Sequence, residues 1–350
     1  MNSEQLNALN EELQSNFKKA HLGKRLVNWF KIPVYLSAFV FVIMIVFNTV
    51  TGASVQKNVS SNNFQYIMLI PIGVMVAFQM LYVPALIKFS KLETETIQKI
   101  IKKIFPRARY YTGIEHSINE RYIAYSKLFP GFGKEMMESC GTFGSIKIDT
   151  DSSKLSIYDV GVSFGKTKAL IKSNNITGYF MFLYTAFLKP VFSNRIESSI
   201  FDFRGMFTHA SLTQNINANV LIFPDHLDEK LGYLADNIHA MRTVYKNKLV
   251  KLEDPEFERV YVVYSDDEIA TRKVLTPLMM RKLTDLRNKF GRDIMLSFCD
   301  SSFYFAVSMP EGFLTLRIQN KQDENIVAEI YEDIVAAINI LDELNLKQIK

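Results

Sequence analysis

The chain has 350 residues, 48% of them apolar and 22% charged, with two cysteines and a formal net charge of +5. That length and balance suit a folded chain of one large or two modest domains and exclude an extended, disordered one. The charge is uneven. Residues 1–110 hold 13 Lys and Arg against 5 Asp and Glu, whereas residues 111–350 hold 28 against 31. The larger part is slightly acidic and has no basic stripe, which argues against nucleic acid as its partner. Cys140 and Cys299 have neither metal-like nor redox-like spacing, and no disulfide is expected between them.

In chain order, residues 3–22 read as an amphipathic helix starting at Ser3, with Leu6, Leu9, Leu13 and Phe17 on one face. Lys18, Lys19, Lys24, Arg25 and Lys31 gather next, beside Trp29. Two uncharged apolar runs follow, Ile32–Val50 and Tyr66–Ile87. At 1.5 Å per residue they reach about 28 and 33 Å, enough to cross a bilayer. Pro71, Gly73 and Pro84 are tolerated in such a span. A cleaved signal peptide does not fit, because the polar lead is long and a second apolar run comes at once. The stretch 51–65 carries only Lys57, while the outer flanks carry five and seven Lys or Arg. The excess marks the cytoplasmic side, so both ends are expected in the cytoplasm and 51–65 outside.

Ser90-Lys-Leu-Glu93 fits a capping box, which predicts that a new helix begins there. Ile97, Ile100, Ile101 and Ile104 form its apolar stripe and Pro106 ends it. That stripe suits an anionic leaflet, residues 6–17, or the body, and periodicity does not choose among them.

Beyond residue 110 the pattern is mixed. Glu115–Tyr125 suits a helix or a strand pair. Phe143–Asp149 and Leu155–Phe164 alternate as strands around a turn at Asp151–Ser153. Ile176–Phe192 is dense in aromatics and reads as two buried strands, with a membrane-dipping segment as the rival. Ser199–Phe207, Asn219–Phe223, Val250–Leu252 and Phe257–Tyr264 read as strands. A helix Leu227–Met241 is expected after Asp225. Ser265-Asp-Asp-Glu268 and Thr276-Pro277 read as helix starts, the second helix ending at Gly291. Strands Ile294–Cys299, Phe303–Ser308 and Phe313–Ile318 and a closing helix Glu324–Leu344 complete an α+β body carried on two N-terminal transmembrane helices. The expected divisions are 1–30, the hairpin 31–88, a connector 89–109 and the body 110–350, with a possible seam near 245–255.

Motifs for chemistry are weak. Gly161-Val-Ser-Phe-Gly165 matches the nucleophile-elbow pattern, but alternation runs through it and leaves Ser163 in a strand, not at a strand-to-helix turn. Cys140 is a nucleophile only with a histidine beside it, His116 or His209. Glu115-His116 is a weak metal candidate, and the five histidines lack helical zinc spacing. The acidic clusters at 253–256 and 266–268 suit caps and turns better than a cation. No cofactor motif is present.

The run Val250-Lys-Leu-Glu-Asp-Pro-Glu-Phe-Glu258, then Tyr261-Val-Val-Tyr264 and Asp266 through Pro277, resembles the bacterial family catalogued as domain of unknown function 3137. Phe203-Arg-Gly-Met-Phe207 matches an upstream element of that family. Ala270-Thr271-Arg272 stands where the family usually has an acid in the first of these places. The resemblance implies a bacterial membrane protein, with a LemA-like membrane protein as a possible partner, and it supplies no catalytic residues. Two functions follow as expectations. One is a binding or scaffold component of an inner-membrane assembly, in contact with the bilayer, a second membrane protein or further copies of itself. The other is a membrane-bound hydrolase using Cys140, His116 or Ser163.

Overall fold

A computed structural model describes residues 2–55, 61–129, 132, 139–149, 154–163, 183–193, 201–212, 216–225, 248–299, 301–317 and 325–346. The expected helix 227–241 and the turn 151–153 lie outside these. Helix α1 (Ser3–Glu12) is capped by Asn2, one residue ahead of the expected start, in a reciprocal box with Gln5. The chain breaks at Leu13, and α2 (Gln14–Val55) then runs through the first apolar stretch. The expected helix 3–22 is therefore two helices. Leu6, Leu9, Leu13 and Phe17 are nonetheless all buried, as their spacing required.

Helix α3 (Ser61–Ile104) is also continuous. The helix start expected at Ser90 is absent. Glu93 does not reach back to cap; its Oε1 accepts the Leu316 N–H at 2.7 Å. Two contacts fix α2 and α3 as antiparallel neighbours: Asn16 Nδ2 donates to Thr96 Oγ1 at 3.5 Å, and Gly23 lies against the Phe89 ring. Lys103 at the end of α3 pairs with Glu12 of α1. Near these positions the pair is part of the body's core: Ala20, Ile97, Ile100 and Ile101 are completely buried. The stripe at 97–104 thus packs on the N-terminal helices and the body, and the leaflet alternative is set aside. Farther out, Val40, Ile43, Ile45, Val46, Leu69, Ile70 and Val74 are exposed. Both helices are long and apolar enough to cross a membrane.

The body is built on one nine-stranded sheet of β1 (Arg109–Thr112), β2 (Ser139–Asp149), β3 (Lys154–Ser163), β4 (Phe203–Ser211), β5 (Val220–Pro224), β6 (Lys248–Val250), β7 (Tyr261–Ser265), β8 (Ile294–Cys299) and β9 (Ser302–Ser308). Its order is β1-β2-β3-β4-β9-β8-β5-β7-β6, and each neighbouring pair is antiparallel. Pleating sends alternate side chains to opposite faces. Ile157, Met206, Phe305 and Leu296 point to the face covered by helices, where α8 (Pro277–Phe290), α9 (Ile326–Leu346), α1 and the inner ends of α2 and α3 form one core. Tyr158, Val160, Phe207 and Tyr304 point to the other face, with α4 (Glu120–Ser126), Leu128, Phe129 and Phe132.

Several local expectations are corrected. Residues 184–192 are helical, not strands: a π-turn Tyr184–Leu188 passes into an α-turn Lys189–Phe192, together α5, which packs on α2. Phe257 lies in a short helix α6 (Pro255–Glu258), because Asp254 caps the amides of Glu256 and Phe257 and Pro255 pre-sets the first turn. The cap of α7 (Glu268–Val274) is Asp267, while the Ser265 hydroxyl takes the Asp267 backbone. Thr276, Pro277 and Gly291 begin and end α8 as expected. Residues 313–317 form no strand. β9 already has β4 and β8 on its two sides, and the amides of Phe313, Leu314 and Leu316 are taken by carboxylates.

Candidate functional site

The residues singled out from sequence do not form one constellation. Cys140 pairs across the ladder with Val162, and Ser163 with Ser139. Alternation then places the Cys140 and Ser163 side chains on opposite faces of the sheet. His116 meets Ser145, Nδ1 to Oγ at 3.3 Å, and stacks on Tyr158. Ser145 is five residues along β2 from Cys140, about 15 Å at strand rise. His209 is farther away, opposite Ser156. Burial, helped by the nearby Glu120 charge, pushes the Cys140 thiol up to about 12. It is therefore a thiol and not a thiolate at neutral pH. Cys140 and Cys299 are both free.

Glu115 is engaged locally. Its Oε2 accepts the Thr112 N–H at 2.8 Å, and its own N–H donates to Thr112 Oγ1 at 3.4 Å. The backbone hydrogen bond from Thr112 holds its carboxyl below the usual range. Among the described residues no group of three His, Cys, Asp or Glu side chains comes together as a metal site. The glycines of the elbow-like motif have a packing role. A Cβ on Gly161 would lie 2.4 Å from the Phe201 ring. Gly161→Val is expected to cost about 1–3 kcal/mol through overpacking, and Ser163→Ala to be near neutral. Urea titration of both variants checks this, and the reverse order would restore interest in the Ser163 hydroxyl.

The concentration of buried charge lies elsewhere, at the loop 309–317. Its first turn closes with the Gly312 N–H on the Met309 carbonyl at 2.8 Å. Gly312 has φ +97, and a Cβ there would press on the Arg204 guanidinium. Asp159, on the helix-covered face of β3, grips Arg204 of β4 with both oxygens. The same oxygens accept the Phe313 and Leu314 amides, each at 3.1 Å. Arg204 also donates to the Val160 carbonyl at 3.1 Å, and its Cζ stands 3.9 Å from the Phe143 ring centre. Two residues beyond Leu314, the Leu316 amide is held by Glu93 of α3. Arg317 then reaches Asp333 of α9 at 2.5 Å, where Arg292 also binds at 3.2 Å. Lys24 of α2 closes the ring on Glu311 at 3.4 Å.

One nine-residue loop is thereby tied to both long helices, to the centre of the sheet and to α9. The Asp159–Arg204 and Arg317–Asp333 pairs are nearly dry, so each is costly to break but adds little net stability over an apolar equivalent. What such pairs supply is a fixed register between elements. The geometry suits transmission or rigid coupling between the long helices and the sheet better than it suits bond-making. Sequence reasoning missed this site. Asp159 and Arg204 are 45 residues apart, and Glu93 and Leu316 are 223 apart. The one local signal was a charged residue inside an otherwise apolar alternation, at Asp159 and again at Arg204.

On the opposite face His209 stacks between Tyr122 and Tyr304, with ring centres 4.2 and 5.2 Å away. Burial pushes its pKa down to about 4. Between the ordinary histidine value and that value the unfolded chain binds a proton that the folded chain refuses. Stability is therefore full above about pH 6.5 and falls as pH drops toward 4, by on the order of 2 kcal/mol. His209→Asn is expected to flatten that part of the pH–stability curve, and an unchanged slope would assign the acid loss to other groups.

The fold and the site define a class: a mixed α+β body rigidly joined to a pair of long apolar helices. Residues 201–346 match the family described as Protein of unknown function (DUF3137), which agrees with the resemblance seen in the 250–277 run. No curated protein matches, and no solved structure matches.

Proposed function

We propose that the chain is a membrane-anchored scaffold of the bacterial inner membrane, with α2 and α3 crossing the bilayer and the body presented to the cytoplasm. One observation carries the reading. Both long helices run unbroken from an exposed apolar shaft into the core, where Ala20, Ile97, Ile100 and Ile101 are fully buried. A soluble core helix would be covered along its length, whereas a shaft left bare of protein fits a hydrocarbon surrounding. The Lys and Arg excess on the body side of the shaft supports a cytoplasmic body. The coupling loop supports a protein whose body and anchor keep one geometry. By family resemblance the partner is another envelope protein, a LemA-like one first, or a further copy of the chain. Helices α1 and the end of α3 are occupied within the molecule, so the partner surface lies on other elements.

The test combines extraction and labelling. The full-length protein is expected to stay with membranes through an alkaline carbonate wash. A cysteine in the stretch 51–65, at the outer ends of α2 and α3, should react with an impermeant maleimide in intact cells, and one at exposed Ile114 only after permeabilisation. Carbonate release, or Ile114→Cys labelling in intact cells, would reject the anchoring or its orientation. Full complementation of a deletion strain by Cys140→Ala, His116→Ala and Ser163→Ala would leave the hydrolase reading without its candidates.

A further inference from the structure

Helix α5 (Tyr184–Phe192) is far from α2 in sequence but lies against it. Its level along the shaft is fixed by one contact. The Lys31 ammonium reaches the Ser193 carbonyl, at the end of α5 where helix carbonyls lack partners. Lys31 is buried and immediately precedes the apolar run that begins at Ile32. The antiparallel register of α2 and α3 (16 beside 96, 23 beside 89) sets Tyr82 at the same level, and Tyr82 is buried as well. Above this level the shaft is mostly exposed, Ser37 and Pro71 being the buried positions among the described residues.

At this level α5 leaves aromatic side chains uncovered. Phe192 is 77% exposed and Tyr184 45%, and Trp29, two residues below Lys31 on α2, is 66% exposed. Such exposure is costly in water, and Phe192 and Trp29, exposed near Lys31 at the foot of the apolar run, match the belt that aromatic rings form at a bilayer surface. Cations stand beside them: Lys24 and Arg25 below, Lys88 on α3 and Lys189 within α5 itself.

We infer that α5 is a third membrane contact, lying in the interfacial layer of the bilayer with Phe192 and Tyr184 inserted beside Trp29 among anionic headgroups. This rests on the anchoring reading above. The occupant is lipid and not protein, because Phe192 and Trp29 stand at the foot of the exposed apolar flanks of α2 and α3, which the anchoring reading gives to lipid, with cations beside them. Lys31 then acts as a clamp. It holds α5 at the height where the span begins, so the body is fixed to the membrane at three points and cannot swing about the shaft.

The experiment uses the single native tryptophan as the reporter. Full-length protein is reconstituted into vesicles of phosphatidylethanolamine and phosphatidylglycerol carrying lipids brominated either near the headgroup or near the bilayer centre. Three proteins are compared: the natural chain, Trp29→Phe with Phe192→Trp, and Trp29→Phe with Ile43→Trp. Ile43 lies about 18 Å up the helix from Lys31, near mid-bilayer. The expected result is that the residue-192 reporter is quenched at least about twofold more by shallow than by deep bromines, like Trp29, and the residue-43 reporter the reverse. If the residue-43 reporter is unquenched by any bromolipid, the anchoring reading fails and this inference with it. If residue 43 is quenched while residue 192 is quenched only by aqueous iodide, α5 faces water and this inference alone is overturned. Shielding of residue 192 from both quenchers would mean a protein covers it, and would overturn the lipid assignment equally.

Discussion

Asp159→Ala is expected to lower the unfolding free energy by about 3–5 kcal/mol, the cost of stranding a buried charge. The Arg204 guanidinium would keep one backbone acceptor and its stacking on Phe143, and would lose its carboxylate. The Phe313 and Leu314 amides would lose their acceptors together. Asp159→Asn keeps the shape and part of the hydrogen bonding, so it should fall between the two. The double variant Asp159→Leu with Arg204→Met should recover most of the loss, because a buried pair is worth little over well-packed apolar side chains. Urea unfolding of the solubilised full-length protein measures all three. A single Asp159→Ala variant within about 1 kcal/mol of the natural chain would show that the pair is not made as described. If the double variant is stable yet fails to complement a deletion strain, the pair serves function through the register it sets.

Lys91→Pro separates the two accounts of residues 88–93. A helix beginning at Ser90 would place Lys91 at its first position, where proline is favoured. In the continuous α3 the Lys91 amide is inside the helix, and proline removes its bond and clashes with the preceding turn, at about 3 kcal/mol or more. The continuous helix predicts a destabilised protein with a kink between shaft and body, read by urea unfolding and by spin-label distances between positions 80 and 99. Tolerance of the proline with unchanged distances would restore the capping box. Lys91 is exposed, so lost packing does not confuse the result.

The distance between these two accounts shows where local reading stops. Ser90 and Glu93 have the right spacing for a cap, and spacing is all that a local pattern contains. Whether Glu93 turns back to its own helix depends on whether a better donor is nearby, and the Leu316 amide comes from the far end of the chain. The same holds for Phe313–Leu316, which alternates like a strand. Its amides go to Asp159 and Glu93, and β9 has no open side left for it. Residues 184–192 combine aromatic density with strand-like composition, and the presence of α2 alongside decides for helix. The site at 309–317 was illegible because the bonds that tie the loop to Asp159, Glu93, Asp333 and Lys24 are all to residues distant in sequence.

What the sequence determined by itself rests on short-range physics. The two apolar runs, the buried stripes at 6–17 and 97–104, the start of α8 at Thr276-Pro277 and its stop at Gly291 follow from side-chain periodicity and from the conformations open to threonine, proline and glycine. The strands β2, β3, β5, β8 and β9 follow from alternation, and the family resemblance follows from the 250–277 run. Only the tertiary structure decided which face Cys140 and Ser163 take, where Glu93 bonds, how nine strands are ordered, and that three buried acids, Glu93, Asp159 and Asp333, gather α3, the sheet and α9 onto one loop. Those outcomes depend on competition among partners brought together from across the chain, and a buried charge or amide goes to whichever partner the packed fold leaves within reach.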